Sequence, residues 1–477
     1  MKGRFLPLPA AYILLACLLI SVFFSCKSDG DIQDADLSEA ETSAVDTNAA
    51  ETEPPDYASL LPEEYGYLYT DLPQVIINTG GAEIGWPYLP ASLTVVEYID
   101  GRIRIVDDDN GQIKIRGNTT ASTEKKSFSI RFEEKHSLIG MDSGKRWVLQ
   151  ASVFDKSLMR CKLVCDFSQK LRLPYASQGE YCDLWLNGEY RGSYLLMEPV
   201  AEGKGRVDIN SLENEFILEW SINRTEGGVS YITTPIYGSR FEFDKPENPT
   251  REQYEFLNEF FLEAEKAIKS RDRKRYGKYI NIGSFVDFYI LNELFKDIDF
   301  NEFSTRYFIK NDMLYAGPPW DFDLSMGNCS YGEPKYYEYH SDAYDGSDLG
   351  TGDSAEGFWC RRDWYADLIS DEYFHGLVNE RFLELQPLIK GIFEGEDNWI
   401  DRIKLRYAES FKRNYEIFKV NVSYGYYDNQ EPKLTFDGNV GLLRRWLMRR
   451  NAWLLENMES KELTVLEHVH APEYKPR

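Results

Sequence analysis

Two short acidic motifs are the strongest chemical feature of this sequence. In "GPPWDFDLSMGN", residues 317–328, Asp321 and Asp323 are separated by one phenylalanine. In "FKDIDF", Asp297 and Asp299 have the same spacing. Mg²⁺ takes one or two such carboxylates and completes a near-octahedral shell with water and phosphate oxygens. The plain alternative for either motif is a solvated acidic turn.

Two neighbouring lysines supply positive charge ahead of these motifs. Lys125 and Lys126 lie at the start of the predicted strand "KSFSIRF". Phosphoryl transfer uses a lysine from a sheet-rich lobe, carboxylates that hold Mg²⁺ and a carboxylate that orients the acceptor hydroxyl. The lysines, "FKDIDF" and "WDFD" follow one another in that order. Two other kinds of site remain open: a glycosidase with paired carboxylates, and a structural Ca²⁺ site at Asp321 and Asp323.

The elements that must position these residues belong to a large acidic chain. Its 477 residues, 43% of them apolar, favour one large bilobal unit or two domains. The net charge of −25 argues against a nucleic-acid partner, because phosphate backbones are bound by a surplus of Lys and Arg. The sequence contains neither HExxH nor GxSxG, so the zinc-protease and serine-hydrolase templates are not favoured.

The N-terminal region indicates export. Residues 1–26 combine an early positive charge with the apolar run "YILLACLLISVFF" and end at Cys26. This segment resembles a bacterial lipoprotein signal peptide, which implies lipidation of Cys26 and an exported protein anchored to the membrane on its extracytoplasmic face. A signal-anchor helix is the alternative. Residues 27–65 are predicted to form an acidic disordered stalk, because the stretch carries too few large apolar residues to offset its ordering entropy.

The remainder is predicted to form two lobes. Residues 66–245 contain short alternating runs of β-branched and aromatic residues, which predict a sheet-rich N-lobe. Residues 246–462 are predicted to form a helical C-lobe with the metal site, followed by a tail at 463–477. Asn187 and Gly188 predict a tight hairpin turn.

A few helices have recognisable boundaries. Residues 155–171 are predicted to form a helix that carries Cys161 and Cys165 as buried thiols on one face. Thr250 is expected to cap the next helix. Ser284, with an acidic residue three positions later, predicts a capping-box start for the helix before "FKDIDF". The runs "STRYFIK" and "MLYAG" predict a hairpin that leads into "PPWDFD".

Several motifs occur together in a consistent order. They are "IKIRGNTT", "KKSFSIRF", "GKRWVLQASVFDKSLMR", "LWLNGEYRGSYLLMEPV", "NELFKDIDFNEFSTRYFIKNDMLYAGPPWDFDLSMGN" and "RRWLMRRNAWL". From about residue 70 to 460 the chain resembles the CotH kinase family. The resemblance implies an α+β, atypical protein-kinase-like bilobal fold. It also implies transfer of the γ-phosphate of ATP, with Mg²⁺ or Mn²⁺, to Ser or Thr of envelope or surface proteins.

The resemblance assigns roles to the acidic residues. Asp321 corresponds to the metal-binding aspartate of the family, and Asp323 to an auxiliary ligand. Asp299 is similar to the catalytic-loop aspartate, with Asp297 as the second choice for that role.

The resemblance also points to a nucleotide site. Lys126, or else Lys125, corresponds to the lysine that contacts the nucleotide phosphates, with Arg116 and Asn118 of "RGN" nearby. Glu198 falls where the hinge between the lobes meets adenine.

The sequence departs from ordinary kinases in three places. It has no GxGxxG loop, and no HRD triplet precedes the catalytic-loop position. The second metal-binding side chain has no clear counterpart, and only Asn301 or Ser304 lies in the right region. An inactive or weak pseudokinase, acting as a surface-binding or envelope-assembly protein, is therefore the alternative function.

Overall fold

Two β-sheets organise the residues that the computed structural model describes, namely 56–117, 119–221, 230–328, 354–419 and 435–459. The first sheet contains β1 (Gln74–Asn78), β2 (Leu89–Pro90), β3 (Ser92–Ile99), β4 (Arg102–Asp108), β5 (Gln112–Arg116), β6 (Ser127–His136), β7 (Gly144–Gln150), β8 (Gly179–Leu186) and β9 (Glu189–Met197). Its order is β2-β5-β6-β7-β9-β8-β1-β3-β4, and every neighbouring pair is antiparallel except β1 with β8.

Strands β5 and β6 show how alternation divides the two faces of this sheet. Ile113 and Ile130 are fully buried in a core enclosed by the nine strands. Lys114 and Ser129, which pair across the two strands, lie on the opposite face, as does Arg116. Because side chains alternate along a strand, burial of the isoleucines places these polar residues on the outer face.

The hairpin between β8 and β9 confirms the prediction from its turn. Leu186 pairs with Glu189, and Asn187 and Gly188 between them have φ angles of 52° and 82°. A two-residue turn of this kind requires positive φ at both positions, which Asn and Gly adopt at low cost.

The second sheet joins strands from both predicted lobes. It contains β10 (Phe216–Trp220), β11 (Tyr231–Thr233), β12 (Arg240–Lys245), β13 (Arg306–Lys310) and β14 (Met313–Ala316), in the order β11-β12-β10-β13-β14. Strands β13 and β14 are the predicted hairpin before "PPWDFD", and they pair directly. The sequence placed β10 to β12 before the boundary at residue 245, yet β10 pairs with β13.

Eleven α-helices complete the regular structure of the described residues. They are α1 (Tyr57–Leu60), α2 (Arg160–Ser168), α3 (Arg251–Lys269), α4 (Arg273–Tyr276), α5 (Ile282–Phe295), α6 (Asp363–Ile369), α7 (Glu372–Glu384), α8 (Gln386–Phe393), α9 (Trp399–Arg406), α10 (Ala408–Ile417) and α11 (Phe436–Asn457). Helix α1 falls within the predicted stalk. A sheet-rich first part followed by a helical second part confirms the α+β, bilobal kinase-like fold.

The helix starts confirm one capping prediction and correct another. Thr250 caps α3 in a full capping box with Gln253. Helix α5 begins earlier than expected: Asn281 is its N-cap and accepts a hydrogen bond from the N–H of Ser284. Asp287, the acidic residue of the predicted box, instead forms a buried ion pair with Arg381 at 2.9 Å. Tertiary pairing therefore outweighed the local capping pattern.

Helix α2 is shorter than the predicted 155–171. The Asp155 carboxylate accepts hydrogen bonds from the N–H groups of Ser157 and Arg160, so a turn precedes the helix. Cys161 and Cys165 are buried free thiols, as expected. No helix within the described residues has both the length and the apolar character to cross a membrane.

Candidate active site

The motif "FKDIDF", which comes first along the chain and is called here the first acidic motif, places its aspartates immediately after helix α5. Lys296 ends the helix in a left-handed conformation, with φ 51° and ψ 63°. Its ammonium donates hydrogen bonds to the carbonyls of Ser354 and Glu356 at 3.0 and 2.8 Å. The carboxylate of Asp297 then accepts the N–H of Asp299 at 3.3 Å. The chain is therefore turned sharply out of the helix, and Asp297 helps to shape the loop that carries Asp299.

The motif "WDFD", called here the second acidic motif, follows the β13–β14 hairpin. Asp321 has φ 68° and ψ 46°, a left-handed conformation that a non-glycine residue adopts only when its surroundings impose it. A 3₁₀ turn, Phe322–Leu324, comes next. The N–H of Met326 donates to the carbonyl of Phe295 at 2.7 Å. This bond joins the second motif to Phe295, the last residue of α5, which lies two residues before Asp297.

The four aspartates of these motifs form one cluster, called here the acidic cluster: Asp297, Asp299, Asp321 and Asp323. Burial raises the pKa of Asp299 to about 7, and the Asp321 carboxylate adds to this shift. Burial also raises the pKa of Asp297 well above its usual range, with a further contribution from Asp299. The pKa of Asp323 is raised by burial and then by Asp321. The four carboxyl groups thus lie close enough to repel one another.

The acidic cluster suits a divalent cation that also binds phosphate. Mutual repulsion of buried carboxylates is relieved by a nearby positive charge. Among the described residues, no three His, Cys, Asp or Glu side chains are already arranged around a metal position. Mg²⁺ takes only one or two carboxylates and completes its shell with water and phosphate oxygens. The oxygen donors of Asp321 and Asp323 match that requirement.

A cavity of about 360 Å³ lies between the outer face of the first sheet and the second sheet. Its volume is in the range of small-molecule sites. The residues that matter most for binding are the cations Lys114, Arg116, Arg146 and Arg306 and the aromatic residues Trp86, Tyr88, Trp147 and Trp320. Trp320 immediately precedes Asp321, so the cavity adjoins the acidic cluster.

Two arginines approach the acidic cluster from different sheets. The guanidinium of Arg116 lies 4.9 Å from the centre of the Trp320 ring, and that of Arg306 lies 5.8 Å from it. Arg306 is held by Glu219 at 2.7 Å and by Asp244 at 2.9 Å. The charge of the Asp321 carboxylate favours the protonated form of both guanidinium groups.

Arg116 differs from Arg306 in having no fixed acceptor. Within the described ranges, its guanidinium makes neither a hydrogen bond nor an ion pair with a side chain. Burial lowers its pKa, and the neighbouring Asp321 opposes that shift. A guanidinium has five N–H donors in a planar fork that matches phosphate oxygens. Arg116 is therefore available to an anion in the cavity.

The structure directs both predicted lysines elsewhere. Lys126 donates to the carbonyls of Ala121 and Thr123 at 2.6 and 3.1 Å. Lys125 is buried and donates to the carbonyls of Ala151 and Ser193 at 3.0 and 2.5 Å. Of the three cations predicted to contact phosphate, Arg116 is the one that the described structure brings to Asp321.

Glu198, predicted to lie at the hinge, directly follows strand β9, and its carboxylate is occupied by internal partners. It forms a fully buried ion pair with Arg206 at 2.6 Å. It also accepts hydrogen bonds from the Tyr175 hydroxyl and the Gln178 N–H. The next two residues, 199 and 200, line the cavity. The segment after β9 therefore borders the cavity, whereas the Glu198 side chain is bound to partners within the protein. The predicted positions Asn118 and Cys26 lie outside the described residues.

Asn301, one of the two substitutes considered for a second metal-binding side chain, is directed to an internal partner. The side chain of Asn301 is buried and accepts a hydrogen bond from the Tyr307 hydroxyl at 3.0 Å. Gln150 of β7 was missed by sequence reasoning, although its amide nitrogen lies 3.4 Å from Oδ1 of Asp321. The position of Gln150 in "WVLQAS", on the outer face of the sheet, is the sequence feature that could have identified it as a site residue.

Fold and site together define a kinase-like protein with a nucleotide-sized cleft beside paired acidic motifs. The model of the CotH kinase protein family matches residues 113–454. Because this match covers most of the chain, the protein belongs to the CotH kinase family. No curated protein matches the chain. Family membership implies the use of ATP and a divalent metal in general terms.

Proposed function

We propose that this protein is an extracytoplasmic protein kinase that transfers the γ-phosphate of ATP to Ser or Thr of envelope or surface proteins. The observation that carries the proposal is the position of Arg116, a half-buried guanidinium without a fixed partner among the described residues, between the cavity and Asp321. An acidic cluster alone would fit a Ca²⁺ site. An acidic cluster beside an available cation and a cavity of about 360 Å³ fits a nucleotide and its metal better.

Each residue has a defined task in this proposal. Arg116 binds phosphate oxygens, and stacking on Trp320 restricts its orientation. Asp321 and Asp323 hold the metal ion, which neutralises charge on the phosphates when bound. Asp299 orients the acceptor hydroxyl and takes its proton, a task that suits a carboxylate with a pKa of about 7.

Radiolabel transfer tests this function. The full-length chain, purified in detergent, is incubated with γ-labelled ATP, Mn²⁺ or Mg²⁺, and envelope proteins. The wild type and Asp312→Asn, a control in the exposed hairpin turn, are expected to label protein equally. Asp321→Asn is expected to abolish labelling. Equal labelling by all three proteins contradicts the proposal.

A binding protein with a kinase fold is the second candidate function. It is favoured by Asn301, which faces the core and leaves the second metal ligand unassigned. Calorimetry separates the candidates, since a pseudokinase would show ATP binding without turnover, or no binding. Ca²⁺ alone would raise the melting temperature as much as Mg-ATP does if the acidic cluster were only structural.

Membrane attachment through Cys26 is part of the proposal. It is supported by the apolar run and the cysteine that follows it. Cys26→Ala is expected to move the protein out of the detergent phase and to abolish labelling by a fatty-acid probe. Retention of both properties in this variant contradicts lipidation at Cys26.

A further inference from the structure

The loop of the first acidic motif is held from behind by a buried tryptophan. Trp359 is 5% exposed, and its indole N–H donates a hydrogen bond to the backbone carbonyl of Asp297. Its ring also lies 5.3 Å from the ammonium of Lys296, the residue that ends α5. Trp359 therefore contacts both residues at which the chain turns from the helix into the loop.

The backbone of Trp359 is itself fixed by a buried ion pair. Glu293 of α5 accepts the N–H groups of Trp359 and Cys360, the latter at 2.7 Å. Arg450 of α11 lies 2.7 Å from the same carboxylate, and both side chains are completely buried. Arg450 also donates to the carbonyl of Gly357 at 2.6 Å. The late motif "RRWLMRRNAWL" thus contributes a buried anchor, Arg450.

These contacts form a continuous path from α11 to the acidic cluster. Arg450 holds Glu293, Glu293 holds the backbone of Trp359, and the Trp359 indole holds Asp297. The side chain of Asp297 in turn accepts the N–H of Asp299. The carbonyl of Asp297 also accepts the N–H of Phe300 at 3.2 Å. Losing the indole donor therefore removes one of its two hydrogen bonds, the one that ties the loop to Trp359, and loosens the loop.

We propose that Trp359 is a positioning residue for phosphoryl transfer, which sets the loop geometry of Asp299 through the carbonyl of Asp297. This inference rests on the proposed function, since it assigns Trp359 a part in that reaction. Trp359 itself touches neither substrate nor reacting atoms. A small displacement of a catalytic group costs about a hundredfold in rate per ångström, so a loosened loop affects kcat more than nucleotide affinity.

The test compares two buried tryptophans that differ in what they hold. Trp359→Phe keeps an aromatic ring and removes the donor to Asp297. Trp364→Phe is the matched control, because its indole N–H donates to Glu265 at 2.8 Å and the residue is also buried. Both full-length variants are measured for melting temperature, for kcat and KM of ATP, and for hydrogen exchange of a peptide covering residues 296–303.

Trp359→Phe is expected to lower kcat by about ten- to a hundredfold, to leave KM for ATP within about twofold, and to speed exchange in the 296–303 peptide. Trp364→Phe is expected to lower the melting temperature to a similar extent without these effects. The proposal is overturned if exchange in that peptide is unchanged, or if both variants lose kcat equally. A wild type that transfers no phosphate sinks the proposed function instead, while hydrogen exchange still decides whether Trp359 positions the loop.

Discussion

Arg160 Nε donates a hydrogen bond to the carbonyl of Ser325 at 2.9 Å. This contact fastens helix α2 to the segment directly after Asp323. A second guanidinium nitrogen of Arg160 lies 2.5 Å from the Asp155 carboxylate, and both side chains of this ion pair are buried. The segment after Asp323 is thus attached to helix α2 through the buried guanidinium of Arg160. The geometry of this segment therefore depends on Arg160 remaining paired with Asp155.

The first prediction concerns this buried pair. Arg160→Met leaves the Asp155 carboxylate buried without its cation and is expected to destabilise the protein by about 3–5 kcal/mol. Removal of Arg251 from its exposed pair with Glu255 is the control, with an expected loss of at most about 0.5 kcal/mol. Urea unfolding followed by tryptophan fluorescence measures both. Similar losses in the two variants would show that the Arg160 pair has no special structural role.

The second prediction separates Arg116 from the lysines. Arg116→Met removes donors to phosphate and is expected to weaken ATP binding by about ten- to a hundredfold, since a hydrogen bond to a charged group contributes about 1.5–3 kcal/mol. Lys126→Met is expected to change affinity by less than about threefold, because its ammonium is bonded to the carbonyls of Ala121 and Thr123. Titration calorimetry gives both constants. A larger loss from Lys126→Met would restore the assignment made from the family resemblance.

The third prediction concerns protons released on metal binding. Burial and mutual repulsion raise the pKa values of Asp297, Asp299 and Asp323, so the metal-free cluster retains protons near neutral pH. A divalent cation binds the ionised carboxylates, so Mn²⁺ binding is expected to release protons and to tighten as the pH rises from 6 to 8. Calorimetry in buffers of different ionisation enthalpy counts the protons.

Asp321→Asn should remove Mn²⁺ binding and proton release together. Mn²⁺ affinity that is independent of pH, with no proton release, would show that the carboxyl groups were already ionised. In that case the repulsion argument for the acidic cluster would fail.

Features set by local chemistry could be predicted from the sequence, whereas features set by distant packing could not. The turn at Asn187 and Gly188 and the cap at Thr250 depend on neighbouring residues alone, and both are present. The prediction for the start of α5 was wrong because Asp287 forms an ion pair with Arg381, which is 94 residues away in the sequence. Such a partner leaves no local pattern.

The candidate site shows the same division. The spacing of the aspartates marked the two acidic segments, and the Met326 to Phe295 hydrogen bond joins those segments. Which cation faces them depends on how β5 and the second sheet enclose the cavity. The family resemblance favoured Lys126, whereas strand alternation turns Arg116 toward Trp320.

The last prediction uses the buried amine of Lys125. Burial lowers its pKa from 10.5 to about 7. Between those two pH values the unfolded chain binds one more proton than the folded chain, so the wild type should gain stability as the pH rises through this window. Below pH 7 the penalty is constant. Lys125→Met lacks this titration, so the difference in unfolding free energy between the two proteins should shift in favour of the wild type from pH 7 to 10. Urea unfolding at several pH values measures it, and parallel stability profiles would mean that the folded protein keeps Lys125 charged throughout.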